Sequence, residues 1–200
     1  MAVTAERFAQ GMTFAEYMAQ MREKQEAFAA NYAEATIPEA ARAVVCDLDT
    51  RLNVLVLTED WCGDARTYVP VLGRLAECGP GWNVRIFYRD ANLDLADQYL
   101  NQGKWRSVPV VVFFDEQMRE LGHFIERPAQ ANAERQAVID RVAAEHPAVQ
   151  AGRSYNDQTD AARALLAEPL RDLYRERKAA WQAAAIDEVV AVLRPRRAAA

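Results

Sequence analysis

The 200-residue sequence is sparing with glycine and proline, 8 of each, which excludes collagen-like, low-complexity and disordered classes. No run reaches the ~18 uncharged apolar residues of a membrane-spanning helix, so no membrane partner is expected. Cationic excess is missing too: 24 Lys and Arg stand against 29 Asp and Glu, a net charge of −5. Nucleic acid is therefore not expected as a partner, because such a surface needs cations to displace counterions from phosphates. Phosphate-cradling GxxxxGK[ST] and GxGxxG loops are absent. His123 and His146 have no ligand-spaced Cys, Asp or Glu neighbours, so neither metal nor cofactor is expected. Cysteine is scarce and odd in number: Cys46, Cys62 and Cys78. Such a set is no secreted disulfide framework, and Glu6 and Arg7 interrupt any leader-like apolar stretch; both point to a reducing cytoplasm.

What the chain does have is apolar residues, 51% of the total, in patterns that change period along its length. Thr13 and Glu16 make a capping box, with Phe14, Tyr17, Met18, Met21, Phe28 and Tyr32 following, which predicts one amphipathic helix over 13–33. A short helix from Pro38 to about Val45 comes next. Leu52 to Leu57 is a nearly continuous apolar run of strand length, the pattern of a central strand buried on both faces. Ala65, Tyr68, Val69, Leu72, Leu75 and Ala76 then recur at helical steps up to the stop signal Cys78-Gly79-Pro80-Gly81. Further strands are predicted at 83–88, 108–114 and 118–125, with a short helix at 93–100 and a longer one at 129–146. The order β-α-β-α-β-β-α predicts an α/β sandwich with a mixed central sheet and helices on both faces. Residues 161–193 read as helix interrupted near Pro169, and 194–200 as a frayed tail. The expected division is an N-terminal helical extension at 1–50, the sandwich domain at 51–148, and a C-terminal helical extension at 149–200 packing on it. Aromatic residues Phe28, Tyr32, Tyr174 and Trp181 in the extensions read mainly as packing residues.

Chemistry concentrates in Thr58-Glu59-Asp60-Trp61-Cys62-Gly63-Asp64-Ala65-Arg66, where the buried strand hands over to a helix. A helix N-terminus favours thiolate and lowers a cysteine's pKa. Glu59, Asp60 and Asp64 oppose that, Arg66 supports it, and the sequence leaves the sign open.

These residues resemble the thioredoxin superfamily. Trp61-Cys62-Gly63 is similar to its active-site start, Pro70 to the proline of its kinked helix, and Asp90-Ala91-Asn92 to the segment after the next strand. Val108-Pro109 resembles its cis-proline, with the following strand at Val110 to Phe114. The resemblance implies a thioredoxin-like sandwich over about Leu52 to His146, Cys62 as catalytic nucleophile, and Trp61, Gly63, Asp64, Ala65 and Arg66 as its loop. It also implies that Val108 and Pro109 position the substrate. The departures are specific. Ala65 stands where the resolving cysteine of a CxxC pair would be, Val56 replaces the family's buried acid, and Ile86 replaces its lysine partner. Lys104, Trp105 and Arg106, just before the proline, are candidate anion or partner contacts, as is Arg127.

No other cysteine is placed to resolve Cys62. Cys78 lies about 24 Å away along the predicted helix at ~1.5 Å per residue, and Cys46 about 20 Å away across the strand at ~3.3 Å per residue. Both read as small buried apolar residues. The expected function is thiol-disulfide exchange through the single nucleophile Cys62, with protein disulfides or a low-molecular-weight thiol as partners and an external thiol resolving the intermediate. The alternative is a redox-inactive thioredoxin-fold binding or scaffolding module. Iron–sulfur binding through Cys62 in a dimer ranks below both. No motif speaks to substrate, oligomeric state or direction of electron flow.

Overall fold

Strand β1 (Asn53–Thr58) runs through the middle of a four-stranded sheet of order β2-β1-β3-β4. The computed structural model describes residues 3–46, 48, 51–79 and 81–194. β1 pairs parallel with β2 (Asn83–Tyr88) and antiparallel with β3 (Val110–Phe114), which forms a hairpin with β4 (Glu120–Ile125). This is the mixed sheet and α/β sandwich expected from the sequence. A parallel pair needs a crossover element, and α5 (Gly63–Ala76) supplies it between β1 and β2. Continuous apolarity in β1 and β3 follows from cover on both faces. Leu55, Leu57, Val110 and Val112 cluster with Phe87, Leu95 and Tyr99 on one side. Val54, Val56 and Val111 face Val69 and Leu72 of α5 around an apolar cavity of about 20 Å³ on the other.

Among the described residues four helices precede the sheet: α1 (Ala5–Phe8), α2 (Phe14–Gln20), α3 (Gln25–Glu34) and α4 (Glu39–Cys46). Thr13 caps α2 through the expected box with Glu16. The single helix predicted over 13–33 is broken at Met21–Lys24. There Met21 turns extended, Lys24 adopts left-handed φ, the Arg22 amide donates to Asp60 at 2.9 Å, and the Lys24 ammonium donates to the Trp61 carbonyl. Partners more than thirty residues away override good local helix propensity. Phe28 and Tyr17 are fully buried, in ring contact with each other and with Phe14 and Tyr88 respectively. Met12 pairs with Ile86 on the outer edge of β2, shielding that edge.

α6 (Leu93–Ala96) is shorter than the helix predicted over 93–100, and turns carry the chain on to the loop before β3. Helices α7 (Ala129–Glu145) and α8 (Asp160–Leu193) follow β4. α8 runs through Pro169 without the predicted interruption. The proline deprives the Leu165 carbonyl of its helical donor, and Leu165 lies on the exposed side of the helix. Of the tail, residues 195–200 lie outside the described residues, as does Pro80 of the predicted stop signal.

The chain forms two compact units: residues up to Arg127 with those from Ala185 onward, and Pro128–Ala184. The second unit has its own core of Val138, Ile139, Val142, Ala162, Leu166 and Leu170. Within it Glu134 of α7 accepts two bonds from Arg177, one from Gln130 and one from the indole of buried Trp181. These donors, Arg177 first, hold the Glu134 carboxyl down to about 2. A carboxylate whose pKa is depressed on folding stabilises above its unfolded value, ~4.3 for Glu, and that contribution is lost as pH falls through the folded value. Acid titration followed by Trp fluorescence should show loosening between about pH 4.3 and pH 2. Glu134→Gln should remove that segment of the pH dependence.

Candidate functional site

The last turn of β1 carries the chain straight into the candidate site. Glu59 is buried, and its carboxylate accepts the Asp90 amide at 2.7 Å, tying the end of β1 to the segment after β2. The Cys62 amide donates to the Glu59 carbonyl, and Cys62 becomes the N-cap of α5, its Sγ accepting from the Ala65 amide at 3.5 Å. Gly63 is exposed, Asp64 and Arg66 are half-buried, and Ala65, at the position of a CxxC resolving cysteine, is 1% exposed.

Pro70 sits inside α5 and has no N–H for the Arg66 carbonyl four residues back. The buried Asn31 amide of α3 donates to that carbonyl instead, at 2.8 Å. Asn31→Ala would leave a part-buried acceptor unmet, and urea denaturation should report a loss of about 1–3 kcal/mol. An unchanged midpoint would mean that the carbonyl finds another donor.

The Val108–Pro109 peptide bond is cis. The Cys62 thiol donates to the Val108 carbonyl at 3.4 Å, so Cys62 and the cis-proline loop face each other. Val108 is 5% exposed. Behind β4, the Glu126 amide donates to the Pro109 carbonyl at 2.7 Å, and Glu126 takes left-handed φ of 64°. That turn brings two more charges in. Arg127 donates to Asp64 at 3.0 and 3.1 Å and also to the Glu126 carboxylate, which in turn accepts from Asn101 at 2.6 Å. Arg127 thus reaches the residue two beyond Cys62. Sequence reasoning singled out Arg127 but missed Glu126. The hairpin register that carries one past the site carries the other, and that was the available signal.

The sign left open by the sequence is now given by the surroundings of Cys62. Burial pushes its thiol up to about 11; Asp64 and, more weakly, Glu126 add to the rise, while the Ala65 and Asp64 amides oppose it. The helix terminus loses to burial and charge. Val56 and Ile86, standing where the family's acid and lysine would be, are buried and paired in register within apolar surroundings.

Trp61 is 42% exposed, with the Arg89 guanidinium over its ring at 5.6 Å. Arg89 donates to the Arg106 carbonyl, linking the tryptophan to the loop before the proline. In that loop Lys104 stacks on Trp105 at 4.3 Å and Arg106 pairs with Asp97 at 2.6 Å. Lys104, Trp105 and Arg106 line a surface cavity with Arg89, Asp90 and Asp97. Its cations thus sit among carboxylates.

All three cysteines are free thiols. Cys46 is exposed and Cys78 half-buried, so neither is the small buried apolar residue expected. Both lie beyond the far end of α5 and β1 from Cys62. Among the described residues no group of three or more His, Cys, Asp or Glu is placed to hold a metal ion, and no helix is long and apolar enough to cross a membrane.

Comparison with known proteins agrees with this architecture. A protein of unknown function from Pseudomonas aeruginosa, solved by crystallography, is 21% identical and superposes with a TM-score of 0.65 over 96% of this chain and 98% of its own. An HIV epitope-scaffold is 22% identical, with a TM-score of 0.63 over the same shares. At these identities the likeness speaks for the fold alone. No curated protein matches the chain. The family model described as thioredoxin (Thioredoxin_9) matches residues 11–146, taking in the sheet, the Cys62 loop and the cis-proline. The chain belongs to the thioredoxin family.

Proposed function

We propose that this protein is a single-cysteine thiol-disulfide exchange protein in which Cys62 rests as a thiol and reacts as the thiolate, its proton passing to water, with a disulfide partner docked against Val108 and Pro109. The observation that carries this reading is the placement of Cys62 Sγ at a helix N-cap, 3.4 Å from the Val108 carbonyl before the cis-proline, with Ala65 where a resolving thiol would stand. An extended partner chain would pair with the main chain of the proline loop, a mode needing few specific side chains. Trp61, exposed beside the thiol, offers apolar cover, and Lys104, Arg106 and Arg127 are candidate contacts for acidic groups.

In the reaction the Cys62 thiolate attacks one sulfur of the partner disulfide and expels the other as thiolate. A thiol from outside the chain then attacks the partner sulfur of the mixed disulfide and releases the Cys62 thiolate, and a second external thiol displaces the partner sulfur from the new mixed disulfide, leaving the partner as a dithiol and the two external thiols joined as a disulfide. Two electrons pass from the external thiols to the partner disulfide, and Cys62 ends as it began. With its thiol near 11, the scarcity of thiolate is partly offset by greater nucleophilicity. The net is an exchange rate at pH 7 about 20-fold below that of an ordinary accessible thiol.

Turnover tests this reading. Reduction of a model protein disulfide should need both the protein and glutathione, rise with glutathione concentration, and stop in Cys62→Ser. Turnover without external thiol, or undiminished in Cys62→Ser, would overturn it. A second reading, a redox-silent binding module, draws support from the raised pKa of Cys62 and the carboxylates near it. Absence of glutathione-dependent turnover would favour it.

A further inference from the structure

Two cysteines play no part in the Cys62 chemistry, and the fold places them together. Cys46 ends α4 and Cys78 lies in the turn that ends α5. The Cys46 thiol donates to the Cys78 main-chain carbonyl at 2.8 Å, although thirty-two residues separate them. With the covalent bond lengths and angles kept, the two Cα atoms lie within about 8 Å even if the hydrogen bond and the two spans flanking it were collinear. Any bend in the path moves them toward the ~4.4–6.8 Å that a disulfide spans. The Cys78 thiol is turned back onto its own helix, 3.6 Å from the Arg74 carbonyl, so rotation about its side chain is what pairing requires.

The approach is held from both sides. Val45, next to Cys46, is fully buried, and Gly79, next to Cys78, has no room for a side chain. A Cβ there would lie 2.9 Å from Val45 Cγ1 and 2.3 Å from Trp82 Nε1. The turn is therefore pressed directly onto α4, with the cysteines at its margin. Cys46 is exposed and Cys78 half-buried, an arrangement that suits a two-step oxidation: the exposed thiol meets a small oxidant and the covered one closes the bond.

We propose that Cys46 and Cys78 form a second redox site, a dithiol that a low-molecular-weight disulfide converts reversibly into an intramolecular disulfide clipping α4 to the end of α5. In the first step the Cys46 thiolate attacks a sulfur of oxidised glutathione and expels one glutathione thiolate. In the second the Cys78 thiolate attacks the Cys46 sulfur and expels the other. The two protein thiols lose two electrons and two protons, and oxidised glutathione becomes two glutathione molecules. Cys62 takes no part, so this site stands or falls independently of the exchange reaction proposed above.

The full chain, incubated folded with oxidised glutathione and then blocked with an alkylating agent, is read by intact mass and by non-reducing peptide mapping. The expected product is lighter than the reduced protein by two hydrogens, shows a linked Cys46–Cys78 peptide, and reverts on adding reduced glutathione. The linked peptide should persist in Cys62→Ser and vanish in Cys46→Ser. A glutathione adduct resting on Cys46 with Cys78 still alkylatable would overturn the proposal. So would a linked peptide that includes Cys62, or one that forms only in denaturant.

Discussion

Alkylation of Cys62 in the folded protein at pH 7 is expected to run about 20-fold slower than that of a free cysteine with its pKa near 8.5, because about 300-fold scarcer thiolate is partly offset by greater nucleophilicity. The thiol is pushed up to about 11, first by burial, then by Asp64 and Glu126. The rate should climb about tenfold per pH unit across the alkaline range, while exposed Cys46 reacts early. Asp64→Asn should accelerate Cys62, because it removes the larger of the two opposing charges and releases Arg127 from its pair. The expected gain at pH 7 is a few-fold. Burial is the greater cause, so the variant should stay slower than a free thiol. The raised pKa also bears on stability. Above pH ~8.5 the unfolded chain gives up its proton before the folded one does, so stability falls as pH rises from there toward about 11. Peptide-resolved alkylation across pH checks the first claim. A Cys62 rate equal to that of Cys46 at neutral pH would refute it.

Arg127→Met should be the most destabilising charge substitution in the molecule. The guanidinium, with its side chain 15% exposed, lies against both Asp64 and Glu126, whose side chains are 27% and 11% exposed. Its removal leaves two poorly solvated carboxylates facing each other and Cys62. Breaking such a network from one side costs about 3–5 kcal/mol. Adding Glu126→Gln to Arg127→Met should recover part of the loss, because the remaining groups then hold one negative charge instead of two. Urea midpoints of the two single variants and the double variant measure this coupling. Strict additivity, with no recovery, would mean that the three side chains do not act as one cluster.

Much of the architecture is legible because it rests on local pattern. The β1 and β3 runs, the period change at Ala65 and the capping box at Thr13 each depend on residues within a few positions. Cys62 is legible for the same reason: strand, nucleophile and helix start are contiguous. What escapes the sequence depends on distant partners. The helix break at Met21–Lys24 exists because Asp60 and the Trp61 carbonyl accept from Arg22 and Lys24. Nothing in Met-Arg-Glu-Lys announces it. The sign of the Cys62 shift turned on burial, which Asp64 and, more weakly, Glu126 reinforce, the latter delivered to the site by its own left-handed backbone at the end of β4. Pro169 misled in the opposite direction, since the helix runs on through the proline, with Leu165 four residues back on its exposed side. The proximity of Cys46 to Cys78 was equally hidden, because two helix ends meet there across a turn that only the packing of Gly79 on Val45 explains.

The account's central claim is that Cys62 exchanges with a disulfide and waits for an outside thiol. Capture of the mixed disulfide tests it most directly. The folded protein is incubated with a symmetric peptide disulfide at mildly alkaline pH, quenched with acid, and mapped peptide by peptide. The account predicts one peptide adduct on Cys62, accumulating to stoichiometry because no chain thiol can resolve it, and discharged on adding glutathione. Cys62 left unmodified while the protein stays folded, or an adduct that discharges with no external thiol, would contradict it.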